Sequence, residues 1–189
     1  MESRSSVSLL THNTGWVLLL ALLVNTSSAQ VLMTKEEALS RFFPSGARIE
    51  RRTVFLTQQQ VQQIEQRAKA RLESKVVTYY VGKVRDSLVG YAFFETHVVR
   101  TMPETFMLLV SPAGFVQAVE ILAFYEPEDY LPPKRWLHQF QTRTLDDELW
   151  VKRGIQAISG ATLSAQAITG GVRRLLATFQ IAVPREDAR

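Results

Sequence analysis

The amino-acid sequence predicts a single-domain α+β fold, in which an antiparallel sheet carries helices mainly on one face. Two observations support this prediction. The middle of the chain, residues 76–125, is rich in valine, tyrosine, phenylalanine and threonine, which favour strands. The segments on either side carry apolar residues at helical spacing instead. Because only short turns separate the candidate strands, neighbouring strands are expected to run antiparallel.

Two helices are predicted before the strand-rich region, and each begins with a capping box. Thr34 is followed three residues later by Glu37, and Thr57 is followed in the same way by Gln60. Apolar residues at helical spacing continue both segments. Between the two helices, residues 48–56 form a candidate strand.

The central region divides into four candidate strands with turns near residues 85–86 and 111–114. These strands are residues 76–84, 88–99, 105–110 and 115–125. A segment rich in proline and acidic residues leads to a short helix over residues 134–140, with proline at its first turn. Residues 149–158 are then expected to return to the sheet. The last helix is predicted over residues 163–179.

The N-terminal residues have the layout of a secretory signal peptide. An apolar run over residues 16–24 precedes Ser27 and Ala29, which are small residues at the positions that a signal peptidase reads. Cleavage after Ala29 is expected to leave an exported, periplasmic chain, and an uncleaved N-terminal anchor in the inner membrane is the alternative. The predicted divisions are a signal peptide, an N-terminal helical and strand extension, a main domain and a C-terminal tail, at residues 1–29, 30–74, 75–180 and 181–189.

Composition excludes several kinds of chemistry. The chain has no cysteine, so disulfides, thiolate zinc sites, iron–sulfur clusters and attached c-type haem are excluded. His97 and His138 are far apart in sequence and have no carboxylate at ligand spacing, so neither a metal triad nor a catalytic triad is predicted. The net charge is only +4, and the basic pairs alternate with acidic groups. No nucleic-acid partner is therefore expected.

The most informative stretch is residues 156–164, Gln-Ala-Ile-Ser-Gly-Ala-Thr-Leu-Ser. Gly160 and Ala161 place a hydroxyl residue, Thr162, on a turn without bulky neighbours and at or near the start of the last helix. A phosphoryl group at that position would face unpaired backbone N–H groups and the positive end of the helix dipole. The simpler interpretation is that Ser159 and Thr162 only cap the helix.

Residues 159–162, Ser-Gly-Ala-Thr, resemble the attachment signature of the FMN-binding domain family, proteins that carry FMN covalently. Members include flavin-carrying subunits of the sodium-translocating NADH:quinone reductase and of Rnf-type electron-transport complexes. The resemblance covers about residues 76–176 and is weak outside the motif. The family usually has aspartate six residues before the modified threonine, and Gln156 stands there in this chain.

The resemblance implies that Thr162 is esterified to the FMN phosphate by FAD:protein FMN transferase, which uses FAD as donor and releases AMP. It implies a cofactor-binding segment made of Ser159, Gly160, Ala161, Thr162, Leu163 and Ser164. The implied function is electron transfer. Because the signal peptide predicts export, and soluble nicotinamide cofactors are scarce outside the cytoplasm, membrane redox proteins are the expected electron donor and acceptor. Trp136 and Phe140 are candidate contacts of the flavin ring, and Arg173 or Arg174 is a candidate for orienting a redox partner.

Two alternative functions remain open on the sequence alone. The first is a flavin-dependent reductase that acts on a small exported substrate. The second is a binding or assembly module that has the same fold and no flavin. The absence of a readable acid–base or substrate-positioning constellation favours an electron carrier over a stand-alone enzyme.

Overall fold

A computed structural model describes residues 30–184. It contains six strands: β1 (Gln30–Val31), β2 (Arg48–Phe55), β3 (Val76–Val84), β4 (Ser87–Val98), β5 (Pro103–Val110) and β6 (Val116–Phe124). It also contains four α-helices: α1 (Lys35–Phe42), α2 (Gln58–Ala68), α3 (Lys134–Leu137) and α4 (Thr162–Ala182). Two 3₁₀ turns, Glu128–Tyr130 and His138–Phe140, flank α3. The predicted signal peptide, residues 1–29, lies outside the described residues.

The strands form one antiparallel sheet in the order β1-β6-β5-β4-β3-β2, which confirms the predicted fold class. The four central strands follow the chain order because short turns join them. Residues 30–74, predicted as an N-terminal extension, supply both edge strands, β1 and β2, of this same sheet. The C-terminal segment predicted to begin at residue 181 starts inside α4, which continues to Ala182.

Most helices pack on one face of the sheet. Ile168, Val172 and Leu176 of α4 are fully buried against Phe93 and Phe106 of the sheet. Helix α3 and the turn after it join the same apolar core, and α2 packs against the C-terminal half of α4. Helix α1 covers the opposite face, where its Ala38 and Leu39 join a second apolar cluster.

Both predicted capping boxes are present. The Thr34 hydroxyl accepts from the Glu37 N–H, and the Glu37 carboxylate accepts from the Thr34 N–H at 2.8 Å. Thr57 and Gln60 form the same reciprocal pair at the start of α2. These contacts lie within four residues of the chain, which is why the sequence alone predicts them.

The prediction that residues 149–158 return to the sheet is wrong. Only an isolated bridge between Val151 and Ile155 forms there. Local turns use the backbone groups that a strand would need: the Asp146 carboxylate accepts from two N–H groups at 2.9 Å, and the Trp150 carbonyl accepts from the Ile155 N–H at 3.1 Å. Lys152 also has a positive φ of 69°, which interrupts an extended strand.

Helix α4 packs tightly against the sheet at Gly171. A β-carbon at this position would lie 2.5 Å from Glu95 Oε1 and 2.8 Å from the Phe106 ring. At the neighbouring Gly170, the nearest atom to such a β-carbon is Arg174 Nη1 at 3.5 Å, an ordinary contact. Close packing against the sheet therefore accounts for the glycine at 171.

Gly171→Ala is expected to destabilise the protein by about 1–3 kcal/mol, because the added methyl group would force α4 away from the sheet. Gly170→Ala is the matched control and is expected to be neutral or stabilising, since alanine favours a helix over glycine by up to about 1 kcal/mol. Urea denaturation of the two variants measures the difference. Equal unfolding free energies for both variants would contradict this account of the helix packing.

Candidate functional site

The motif turn precedes α4 and is open to solvent. The Ala161 N–H donates to the Ile158 carbonyl at 3.2 Å, which closes the turn. Gly160 has a φ of 82°, a conformation that residues with a side chain rarely adopt. A β-carbon at Gly160 would meet no atom within 4 Å, so the space beside the turn is free. The glycine is therefore required by the backbone angle and not by crowding.

Thr162 is the first residue of α4 and is exposed, whereas Ala161 is the N-cap. No side chain makes a capping hydrogen bond at this end of the helix. The simpler interpretation, in which Ser159 or Thr162 serves as a helix cap, is therefore not supported by the geometry. The hydroxyl of Thr162 is left available beside the unpaired N–H groups of the first turn.

The other predicted site residues divide into exposed and buried groups. Ser159 and Gly160 are exposed, and the Leu163 side chain is 48% exposed although the helical pattern placed it on the apolar face. Ala161 and Ser164 are buried, at 3% and 1% exposure. The structure thus places all six predicted residues at one end of α4, where Thr162 is exposed.

The segment before the motif is held through its backbone. The indole N–H of Trp136 donates to the Gln156 carbonyl at 2.6 Å, and the Gln156 N–H donates to Gln139 Oε1 at 2.9 Å. Gln156 as a residue is exposed. Trp136 and Phe140 are buried in the core at 5% and 0% exposure, so the expectation that they contact a flavin ring is not supported. Trp136 instead fixes the path of the chain into the motif.

A pocket of about 250 Å³ opens beside the motif. Residues 160–164 form one side, and Arg100 and Tyr130 form the other. The Arg100 guanidinium lies over the Tyr130 ring, 5.0 Å from its centre. Sequence reasoning missed both residues, because they are 30 to 60 positions from the motif and no local pattern connects them.

The segment that carries Arg100 is fixed by a buried carboxylate. Glu126 Oε1 accepts from the backbone N–H groups of Arg100, Thr101 and Met102 at 3.1, 2.8 and 2.9 Å. Burial by itself raises the pKa of Glu126, but these three N–H donors hold the pKa below its usual value. The connection between β4 and β5 is therefore anchored next to the start of α4.

A second group of polar residues lies buried between α4 and the sheet. His97 Nδ1 is 3.3 Å from Glu95 Oε1, and His97 Nε2 is 3.4 Å from Glu104 Oε2. Arg174 of α4 forms an ion pair with Glu95. His97 of β4 and Glu104 of β5 lie opposite each other in the sheet. The Glu104 carboxylate therefore comes from the neighbouring strand, which is why spacing along the sequence did not predict it.

The pKa values in this cluster are shifted by burial and by charge. Burial alone would lower the pKa of His97, but the neighbouring carboxylates of Glu104 and Glu95 outweigh it and raise the pKa to about 9. Burial raises the pKa of Glu104, and His97 offsets this only in part. For Glu95, burial is outweighed by His97 and Arg174, which lower its pKa. His97 and Glu104 therefore bind protons more tightly in the folded protein than in the unfolded chain.

The expectation that Arg173 orients a redox partner is wrong. For Arg174, the same expectation is not supported. Arg173 is only 1% exposed and donates to backbone carbonyls of α2 and of the segment after residue 145. Arg174 is engaged with Glu95. Both side chains attach α4 to its surroundings, which helical periodicity does not reveal.

Comparisons with family models and with curated proteins find no match to this chain. Within residues 30–184, no group of three or more histidine or acidic side chains is arranged to hold a metal ion. In the same described range, no helix is both long enough and apolar enough to span a membrane.

The free energy of unfolding is expected to fall as the pH rises from about 6.5 to about 9, the interval between the unfolded and folded pKa of His97. At 1.36 kcal/mol per pH unit, this difference corresponds to up to roughly 3 kcal/mol. The raised pKa of Glu104 acts in the same direction. Urea denaturation at several pH values measures the slope.

The double variant His97→Gln, Glu104→Gln is the control for this prediction. It removes both titrating groups and keeps polar side chains of similar size, so its stability is expected to change less over the same pH interval. A wild-type protein whose stability stayed constant or increased from pH 6.5 to 9 would contradict the assignment.

Proposed function

We propose that this protein is an exported, periplasmic FMN-binding electron-transfer protein whose FMN is attached through its phosphate to Thr162. The observation that carries the proposal is the position of Thr162: an exposed threonine at the first residue of a long, largely buried helix, directly after an open glycine turn. The resemblance of residues 159–162 to the family's attachment signature supplies the identity of the group. Membrane redox proteins are the proposed donor and acceptor.

The residues of the motif fit a phosphate ester. The backbone N–H groups at the start of α4 have no side-chain cap and no acidic residue in the first turn. A negatively charged ester on Thr162 would thus be stabilised by the N–H groups and by the helix dipole. Rigid attachment of α4 to the sheet would keep the ester in one place.

The attachment step requires a separate enzyme, the proposed partner FAD:protein FMN transferase. The Thr162 hydroxyl oxygen attacks the phosphorus of the FMN half of FAD and loses its proton. A P–O bond of the pyrophosphate breaks, and AMP leaves with the electron pair. An exposed threonine next to an unobstructed glycine suits entry into the active site of another protein.

The bound FMN would supply the electron-accepting and electron-donating chemistry. The protein's own residues would hold the phosphate, fix the orientation of the attachment point and present it at the end of the sheet where β4 and β5 connect. An electron carrier needs little more than this, whereas a reductase also needs residues that position a substrate.

Intact mass spectrometry of the protein co-produced with the transferase in an exporting host tests the attachment. The wild type is expected to gain the mass of FMN minus water. Thr162→Ala is expected to gain nothing, because the acceptor oxygen is missing, and Thr162→Ser is expected to retain part of the gain. Ser159→Ala is the matched control, since its hydroxyl lies on the same exposed turn, and full modification is expected.

An unmodified, colourless wild-type protein under these conditions would reject the covalent attachment and favour the flavin-free binding module. Full modification of Thr162→Ala, together with no mass gain in Ser159→Ala, would move the attachment site to Ser159. Steady turnover of one small substrate by the flavin-loaded protein would favour the reductase over the carrier.

A further inference from the structure

We infer that the pocket at the start of α4 binds a phosphate monoester reversibly, before any ester forms, and that Arg100 supplies its positive charge. The inference rests on the proposed function insofar as the natural monoester would be a flavin phosphate. It goes further by assigning a binding role to Arg100, which lies outside the motif, and by requiring recognition of the phosphate without a covalent bond.

Ser164 is the observation that points to a ligand. Its hydroxyl oxygen is buried and has no hydrogen-bond partner, and the residue lines the pocket. Thr169 and Thr178, lower in the same helix, donate to the carbonyls four residues earlier at 2.7 and 2.8 Å. Ser164 makes no such bond. A buried hydroxyl without a partner is costly, and a phosphate oxygen in the pocket would satisfy it.

The helix end adds donors to the same space. Helix α4 has 21 residues, so its N-terminal N–H groups carry a substantial partial positive charge. Ala161 cannot cap them with its side chain, and the first turn has no acidic residue that would repel an anion. These N–H groups and the Ser164 hydroxyl belong to the same turn of the helix.

Arg100 is the only charged residue among the described residues that line the pocket. Its guanidinium packs over Tyr130, which restricts its position, and its backbone is held by Glu126. The Glu126 carboxylate accepts three backbone N–H groups of this segment, and its negative charge also attracts the Arg100 guanidinium. A planar guanidinium held in this way can donate two hydrogen bonds to a phosphate.

The pocket is large enough for a phosphate group but small for a complete flavin. Its volume of about 250 Å³ is below the range of roughly 300–1,000 Å³ that is usual for complete small-molecule sites. The pocket can therefore take a phosphate group, while the flavin ring would lie outside it. Binding should consequently depend on the phosphate and only weakly on the ring.

A larger hollow elsewhere on the described surface does not compete with this assignment. It measures about 760 Å³ and lies on the opposite face of the sheet, between α1 and β2. Its lining includes Glu36 as well as Arg41 and Arg51, so its charges are mixed. None of its lining residues belongs to the motif.

Titration of the full chain, produced without the transferase, with FMN and with riboflavin tests the inference. FMN is expected to bind at least about tenfold more tightly than riboflavin, and inorganic phosphate is expected to compete with FMN. Arg100→Gln is expected to weaken FMN binding by about tenfold or more and to leave riboflavin binding unchanged, because a charged hydrogen bond to the phosphate is lost. Ser164→Ala should weaken FMN binding by a smaller factor.

Arg51→Gln is the matched control, because Arg51 is an exposed arginine on the edge strand β2, away from the pocket. It should bind FMN like the wild type. Melting temperatures of all variants show that each is folded. Equal affinity for FMN and riboflavin, or equal loss of both in Arg100→Gln, would overturn the inference.

The outcomes also distinguish this inference from the proposed function. Arg100-dependent FMN binding, together with an unmodified Thr162 in the presence of the transferase, would keep the phosphate site and reject the covalent attachment. A mass gain on Thr162 without any preference for FMN over riboflavin would support the covalent attachment and reject the reversible phosphate site.

Discussion

The placement of α4 depends on one buried guanidinium. Arg173 donates to the carbonyls of Ala68 and Asp146 at 2.8 and 2.6 Å, with longer bonds to Arg67 and Leu149, and its guanidinium lies 4.4 Å from the centre of the Trp150 ring. A buried positive charge is tolerated only when its donors are satisfied in this way. The same bonds satisfy carbonyls at the end of α2 and in the segment before the motif. They join three parts of the chain around α4 and thereby fix its position along the sheet.

The helix therefore has two different ends. Its middle and C-terminal parts are packed against the sheet and α2, with Gly171 allowing the close approach. Its first turn projects to the surface, where Thr162 is exposed and Arg100 lies across a small pocket. A rigid helix with one accessible end fits the proposed tethered cofactor, because the anchor would be held in place while the exposed Thr162 would remain accessible to a modifying enzyme. Clamping of the Arg100 segment by Glu126 fixes the other wall of the pocket in the same way.

The sequence predicted the parts of the fold that local interactions determine. The capping boxes of Thr34 and Thr57 and the turns between the central strands depend on residues a few positions apart, and the structure confirms them. The prediction of a strand at residues 149–158 is wrong because the chain turns there. The Asp146 carboxylate accepts hydrogen bonds from backbone N–H groups, and Lys152 has a left-handed backbone conformation. The sequence motif identified residues 160–164, which form one wall of the pocket at the candidate site. The opposite wall, and the pairing of His97 with Glu104, arise from contacts between strands and loops that spacing along the chain does not encode.

The most direct test of the account is the location of the flavin in the chain. Trypsin cuts after Arg153 and Arg173 and releases residues 154–173 as one peptide that contains the complete motif. Fragmentation of this peptide, from exported protein produced with the transferase, is expected to place FMN phosphate on Thr162 and on no other hydroxyl. A peptide that carries no flavin, or carries it only on Ser164 or Thr169, would contradict the claim that the exposed first residue of α4 is the cofactor anchor.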